Sequence, residues 1–143
     1  MVMSHAVARA DGGRIGQGPV LPAYGQECAA CHIAYPPALL PAASWLRVMR
    51  SLSDHHGVDA SLDAATSAQV SAWLVANAAT SGRRLEEPPA DRITRAAWFA
   101  RKHHEVPPAA WQRQAVRSPA NCAACHTQAD QGDFDEHRVR IPR

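Results

Sequence analysis

Long apolar runs are missing from this 143-residue chain, because Arg, Asp, Gln or Ser interrupts each hydrophobic stretch before the roughly 18 residues a membrane-spanning helix needs. No segment as written can cross a bilayer as a helix, so any contact with a membrane is expected to be peripheral at most. Lysine is nearly absent: of 15 basic residues only Lys102 is not Arg. The arginines are scattered rather than gathered in a stripe, which argues against a nucleic-acid partner. Val, Ile and Thr are sparse beside abundant Ala, a balance that favours helix over sheet and predicts an all-α fold with little or no sheet. Methionine is scarce as well, with Met49 the only one beyond the first few residues. A composition of 46% hydrophobic and 20% charged residues excludes a collagen-like or wholly disordered chain.

What is present in excess for the length is four Cys and eight His. The cysteines form two pairs of identical spacing, Cys28-Ala29-Ala30-Cys31-His32 and Cys122-Ala123-Ala124-Cys125-His126. C-x-x-C-H is the attachment pattern of c-type haem: two thiols form thioethers with the haem vinyls and the next residue offers an axial imidazole to iron. On a helical turn the two thiols share a face and the imidazole follows, so anchor and ligand come from one short segment. Zinc knuckles lie closer together, typically about 12–20 residues apart, whereas 90 residues separate Cys31 from Cys122. A thioredoxin-like motif needs a βαβ context this strand-poor chain does not offer, and structural disulfides give neither histidine a reason. Two haem c groups, held through Cys28, Cys31, Cys122 and Cys125 with His32 and His126 as proximal ligands, are therefore expected.

Such attachment takes place outside the cytoplasm, which predicts a periplasmic location. Met1 to Ala10 lacks the apolar core of a signal peptide, although Ala8-Arg9-Ala10 has the form of a cleavage site. The Gly-rich residues 1–18 are read as a flexible leader.

Residues 19–82 form the expected N-terminal haem domain. A short helix should carry Cys28 to His32, and Tyr35-Pro36-Pro37 follows it. From Ala42 to Ser53, Trp45, Val48, Met49 and Leu52 recur at helical spacing, and Gly57 is a suitable stop. Asp63 is a good N-cap for a helix to Ala79 with Val70, Trp73, Leu74 and Ala78 on one face. The polar segment Thr80–Asp91, with Pro88-Pro89, marks a boundary. In the C-terminal domain, residues 83–143, a helix over Asp91–His103 should place Ile93, Ala96, Phe99, Ala100 and His103 on one stripe. After Pro107-Pro108 a short helix should hold Trp111. Ser118-Pro119 should cap and open a helix bearing the second motif, and Val139 and Ile141 should lie extended. Halves of about 60 residues bury little surface alone, so each haem is expected to act as a core. Trp45, Trp73, Trp98, Phe99 and Trp111 are candidates for haem-pocket walls, and Arg47, Arg50 and Arg95 for propionate partners.

Distal ligands are less constrained. No Met follows Cys122, so haem 2 must look to His103-His104 or His137, and the helical stripe selects His103. For haem 1 the candidates are Met49, His55 and His56, and extending the Trp45, Met49, Leu52 stripe by one turn reaches His56. The spare member of each His-His pair should point to solvent.

From about Leu21 to Arg143 the chain resembles the periplasmic dihaem cytochromes c of the DHC type found in bacteria. The resemblance is carried by Leu21-Pro22-Ala23-Tyr24, Tyr35-Pro36-Pro37, Leu40-Pro41-Ala42-Ala43-Ser44-Trp45, Asp54-His55-His56-Gly57 and Asp59-Ala60-Ser61-Leu62. In the second half it is carried by Arg92-Ile93-Thr94, Trp98-Phe99, Lys102-His103 and Ile141-Pro142-Arg143. Where the family has His followed by Phe and Gly, this chain has His55-His56-Gly57, so the resemblance implies His55 as distal ligand, against the helical extension, and agrees with the stripe on His103. It also implies low-spin, low-potential bis-His haems, an N-terminal half similar to class I cytochromes c, and a role as an electron carrier. The implied acceptor is an oxygen-binding monohaem cytochrome c, and the implied donor a membrane cytochrome b or quinol pathway. The alternative is a small dihaem enzyme of the peroxidase or nitrogen-oxide reductase type, in which one haem keeps an open coordination position. A haem sensor or storage module is a third reading, without a signalling or oligomerisation segment to carry it.

Overall fold

The computed structural model describes residues 14–16 and 18–143, and its regular structure is helical throughout. Its α-helices are α1 Pro22–Cys28, α2 Ala42–Arg50, α3 Ala64–Asn77, α4 Ala97–Lys102 and α5 Pro108–Trp111, linked by single 3₁₀ turns and loops. Among the described residues the extended pairs are isolated bridges, such as Pro41 with Ala79, and no sheet forms. No described helix is long and apolar enough to cross a membrane.

The first three helices meet in one apolar core of Tyr24, Leu40, Trp45, Met49, Val70, Leu74 and Ala78. Trp45 and Met49 come from the expected face of α2, and Val70 and Leu74 from that of α3. The Asp63 side chain caps α3 by accepting from the Thr66 amide at 2.9 Å, which satisfies one of the amides a helix start leaves free. α2 stops at Arg50, earlier than its apolar period predicts. Ser51 ends it: its hydroxyl donates to the Arg47 carbonyl at 3.0 Å, and the next residues tighten into a 3₁₀ turn over Leu52–Asp54.

The helix expected over Asp91–His103 is broken at Ala96, whose extended ψ of 140° separates the 3₁₀ turn Ile93–Arg95 from α4. Long-range anchors impose the break. The Asp91 carboxylate is held by Arg47 of α2, and Ile93 packs on the core of the first half. Neither C-x-x-C-H segment is the helix that was expected. α1 ends at Cys28, and the second motif is a 3₁₀ turn over Cys122–Ala124. Ser118 does accept from the Ala120 amide at 3.1 Å, yet Asn121 donates its side-chain amide to the Val116 carbonyl at 3.0 Å and the turn does not propagate.

Residues 14–16, expected to lie in the leader, are part of the fold. Ile15 donates its amide to the Gly132 carbonyl at 2.9 Å, and Arg14 bridges Asp133. Residues 1–13 of that leader, with His5, Met1 and Met3, lie outside the described residues. The tail runs extended along the second half, with Arg140 donating its amide to the Cys125 carbonyl at 2.9 Å and Arg113 its guanidinium to the Pro142 carbonyl at 2.5 Å.

Candidate haem sites

The first site is built from the end of α1 and the turn after Leu52–Asp54. Cys28 closes α1, Cys31 and His32 follow in the next turn, and the His32 ring Nδ1 lies 2.7 Å from the Ile33 carbonyl. A carbonyl only accepts, so Nδ1 carries the proton and Nε2 keeps its lone pair for a metal. His55 opens a tight turn in which its amide and carbonyl both pair with Val58, at 2.7 and 3.2 Å. The two central residues of that turn, His56 and Gly57, have φ of 54° and 92°. Gly57 adopts such angles at no cost, whereas His56 adopts them as an ordinary L-residue and is strained. The turn leaves His56 exposed and brings the half-buried His55 to His32, with ring centroids 6.2 Å apart at 34°.

The second site repeats this arrangement with different elements. His103 caps the end of α4, its Nδ1 2.8 Å from the Phe99 carbonyl, which again leaves Nε2 available. His126 follows the Cys122–Ala124 turn and donates its amide to the Cys122 carbonyl at 2.8 Å. The two rings lie 6.2 Å apart at 81°. Phe99 stacks on His103 at 4.0 Å, Trp111 stands 5.9 Å from it, and Phe134 lies 5.2 Å from His126. His104 and His137 are exposed.

Two imidazoles that ligate one metal from opposite sides place their centroids about 6 Å apart, since each metal–nitrogen bond is about 2.0–2.1 Å and the centroid lies about 1.1 Å beyond the nitrogen. Both histidine pairs meet that spacing, each beside a C-x-x-C segment whose cysteines form no disulfide. Burial lowers the pKa of His55, His103 and His126, with further lowering from neighbouring positive groups at His55 and His126. These rings are therefore neutral at neutral pH, the form that binds metal. Burial also pushes the thiols of Cys28 and Cys122 up to about 11, so both are protonated at neutral pH. The donor set fits two haem c groups.

The other candidate side chains have the following surroundings. Met49 is buried in the apolar core. Trp45 is a core residue whose indole N–H donates to the Pro37 carbonyl at 2.7 Å, and Trp73 packs on Tyr24 at 4.9 Å. Arg47 is committed to Asp91 and Glu87, at 2.7 and 2.5 Å. Arg84 sits over the Trp98 ring at 5.4 Å, and the Trp98 Nε1 is buried without a partner. Phe134 and Tyr35, which stacks on His32 at 4.6 Å, belong to the sites although no periodic pattern marked them as such.

The chain belongs to the family of dihaem cytochromes c, which matches residues 24–134. It is similar to solved structures of the dihaem cytochrome c DHC of Rhodobacter sphaeroides. One is 49% identical with a TM-score of 0.71, covering 81% of this chain and 98% of that one. A second is 45% identical with a TM-score of 0.73, covering 85% and 99%. It is also similar to a dihaem cytochrome c of Shewanella baltica OS155, 39% identical with a TM-score of 0.75, covering 85% and 92%. No curated protein matches the chain. Membership makes this a haem-based electron carrier with two c-type haems, and the four cysteines suffice for two attachments.

Proposed function

We propose that both haems are bis-His, the first held by Cys28 and Cys31 with His32 and His55 as axial ligands, the second by Cys122 and Cys125 with His126 and His103. The observation that carries this reading is the pair of 6.2 Å imidazole separations. When bound, haem iron supplies one-electron exchange between its ferric and ferrous states, and bis-His ligation sets that exchange at a lower potential than a Met/His pair would. The protein's share is positional. The carbonyls of Ile33 and Phe99 orient His32 and His103, and the Phe99, Trp111 and Phe134 rings pack around the second histidine pair.

With both axial positions filled, the chain passes electrons rather than activating a substrate. We further propose a periplasmic setting, with a membrane cytochrome b or quinol-linked pathway as donor and an oxygen-binding monohaem cytochrome c as acceptor. The segments 19–82 and 83–143 are proposed to work as two haem domains. Spectra of the holoprotein, oxidised and dithionite-reduced, with and without carbon monoxide, test the ligation. Low-spin haems without the near-infrared sulfur-to-iron band and indifferent to carbon monoxide are expected. A high-spin, carbon monoxide-binding fraction would overturn bis-His ligation and favour a dihaem enzyme with one open iron.

A further inference from the structure

Tyr35 stacks on the proximal histidine of the first site and hydrogen-bonds to the loop that leads into the second. Its ring is stacked on His32, 4.6 Å between centroids at 24°. Its hydroxyl donates to the carbonyl of Ala120, 85 residues away, at 2.6 Å. The same carbonyl accepts the amide of Cys122 at 3.1 Å. A continuous line therefore runs from the His32 imidazole through the Tyr35 ring and hydroxyl to the Ala120 oxygen and on to Cys122, the anchor proposed for the second haem.

The line is rigidly mounted. Buried Tyr24 donates its hydroxyl to the Tyr35 carbonyl at 2.6 Å, and the next two residues, Pro36 and Pro37, are buried and conformationally restricted. Other contacts between the halves, such as Arg47 with Asp91 and Ile15 with Gly132, hold the two together but touch no ligating histidine or attachment cysteine.

We propose that Tyr35 couples the two haem sites, fixing the second attachment loop against the proximal ligand of the first and providing the bridge along which an electron passes between them. The inference rests on His32 as a ligand and Cys122 as an anchor. One electron leaves a ferrous iron, which becomes ferric, and reduces the ferric iron of the other haem. Tyr35 keeps its proton and is neither oxidised nor reduced. It is a positioning residue, and aromatic stacking plus a neutral hydrogen bond shorten the through-space gaps that slow electron transfer.

The test uses holoproteins carrying Tyr35→Phe, which keeps the ring and loses the hydroxyl, and Tyr35→Leu, which loses both. After rapid substoichiometric one-electron reduction, redistribution of the electron between the haems is followed optically, and both midpoint potentials are measured by redox titration. Tyr35→Phe is expected to slow redistribution measurably, and Tyr35→Leu further still, with potential changes too small to account for the slowing. Wild-type rates in Tyr35→Phe overturn the inference even if Tyr35→Leu fails to retain haem. So does a slowing fully explained by shifted potentials. The wild-type spectra decide bis-His ligation separately, so failure of that reading is told apart from failure of the bridge.

Discussion

At the residue scale, each site depends on which member of a His-His pair its backbone turns inward. His55 and His56 are neighbours with ring centroids 4.9 Å apart, yet only His55 is carried to His32 at 6.2 Å, because the chain reverses at His56 and Gly57. His55→Ala should leave the first haem covalently attached but partly high-spin and open to carbon monoxide, while His56→Ala should keep the wild-type spectrum. Equal spectra for the two variants would remove His55 from the ligand set. The left-handed φ of 54° at His56 makes a second prediction. His56→Gly should be neutral to stabilising, and His56→Val should cost about 1–2 kcal/mol, read by denaturant unfolding of the holoprotein. The choice of His55 could not be made from helical periodicity, which pointed to His56. Periodicity holds only while a helix continues, and α2 has already ended at Arg50.

At the element scale, α2 and the segment leading into α4 are joined by an ion-pair cluster in which Arg47 holds both Asp91 and Glu87. Hydrogen bonding to Arg47 is the main cause that holds the Asp91 carboxyl below its ordinary pKa. A carboxylate with a lower pKa in the folded than in the unfolded chain stabilises fully above the unfolded value, about 3.9, and that contribution is lost as pH falls through the folded value. Asp91→Asn should therefore melt below wild type at pH 7, with the difference shrinking as pH falls below about 4. A gap in melting temperature that persists unchanged to pH 2 would assign the effect to packing rather than charge. The same tie explains why Ile93–Arg95 and α4 are two elements. The apolar stripe from Ile93 to His103 is legible in the sequence, but a contact 44 residues away decides that the chain bends at Ala96.

At the scale of the whole molecule, the N-terminal segment and the loop beyond the second motif are tied together at Gly132. Its φ is +73°, and a Cβ there would stand 2.8 Å from the Ile15 carbonyl oxygen. Gly132→Ala should thus cost about 1 kcal/mol or more through both strain and the displaced strand pairing, measured as a lower denaturant midpoint. Unchanged stability would mean that residues 14–16 contribute nothing to the fold. By itself the sequence determined what short-range covalent order controls: the two C-x-x-C-H attachments, the helical class, the Asp63 cap and the apolar faces of α2 and α3. Thiol spacing, capping chemistry and a 3.6-residue period all act within a few residues, so they can be read along the chain. The helical stripe already reached His103, but the long-range packing was needed to bring His55 rather than His56 to His32, to give Arg47 to Asp91 and Glu87, and to carry Tyr35 to Ala120. These contacts join residues far apart in the chain, and their partners are selected by packing, which no local pattern encodes.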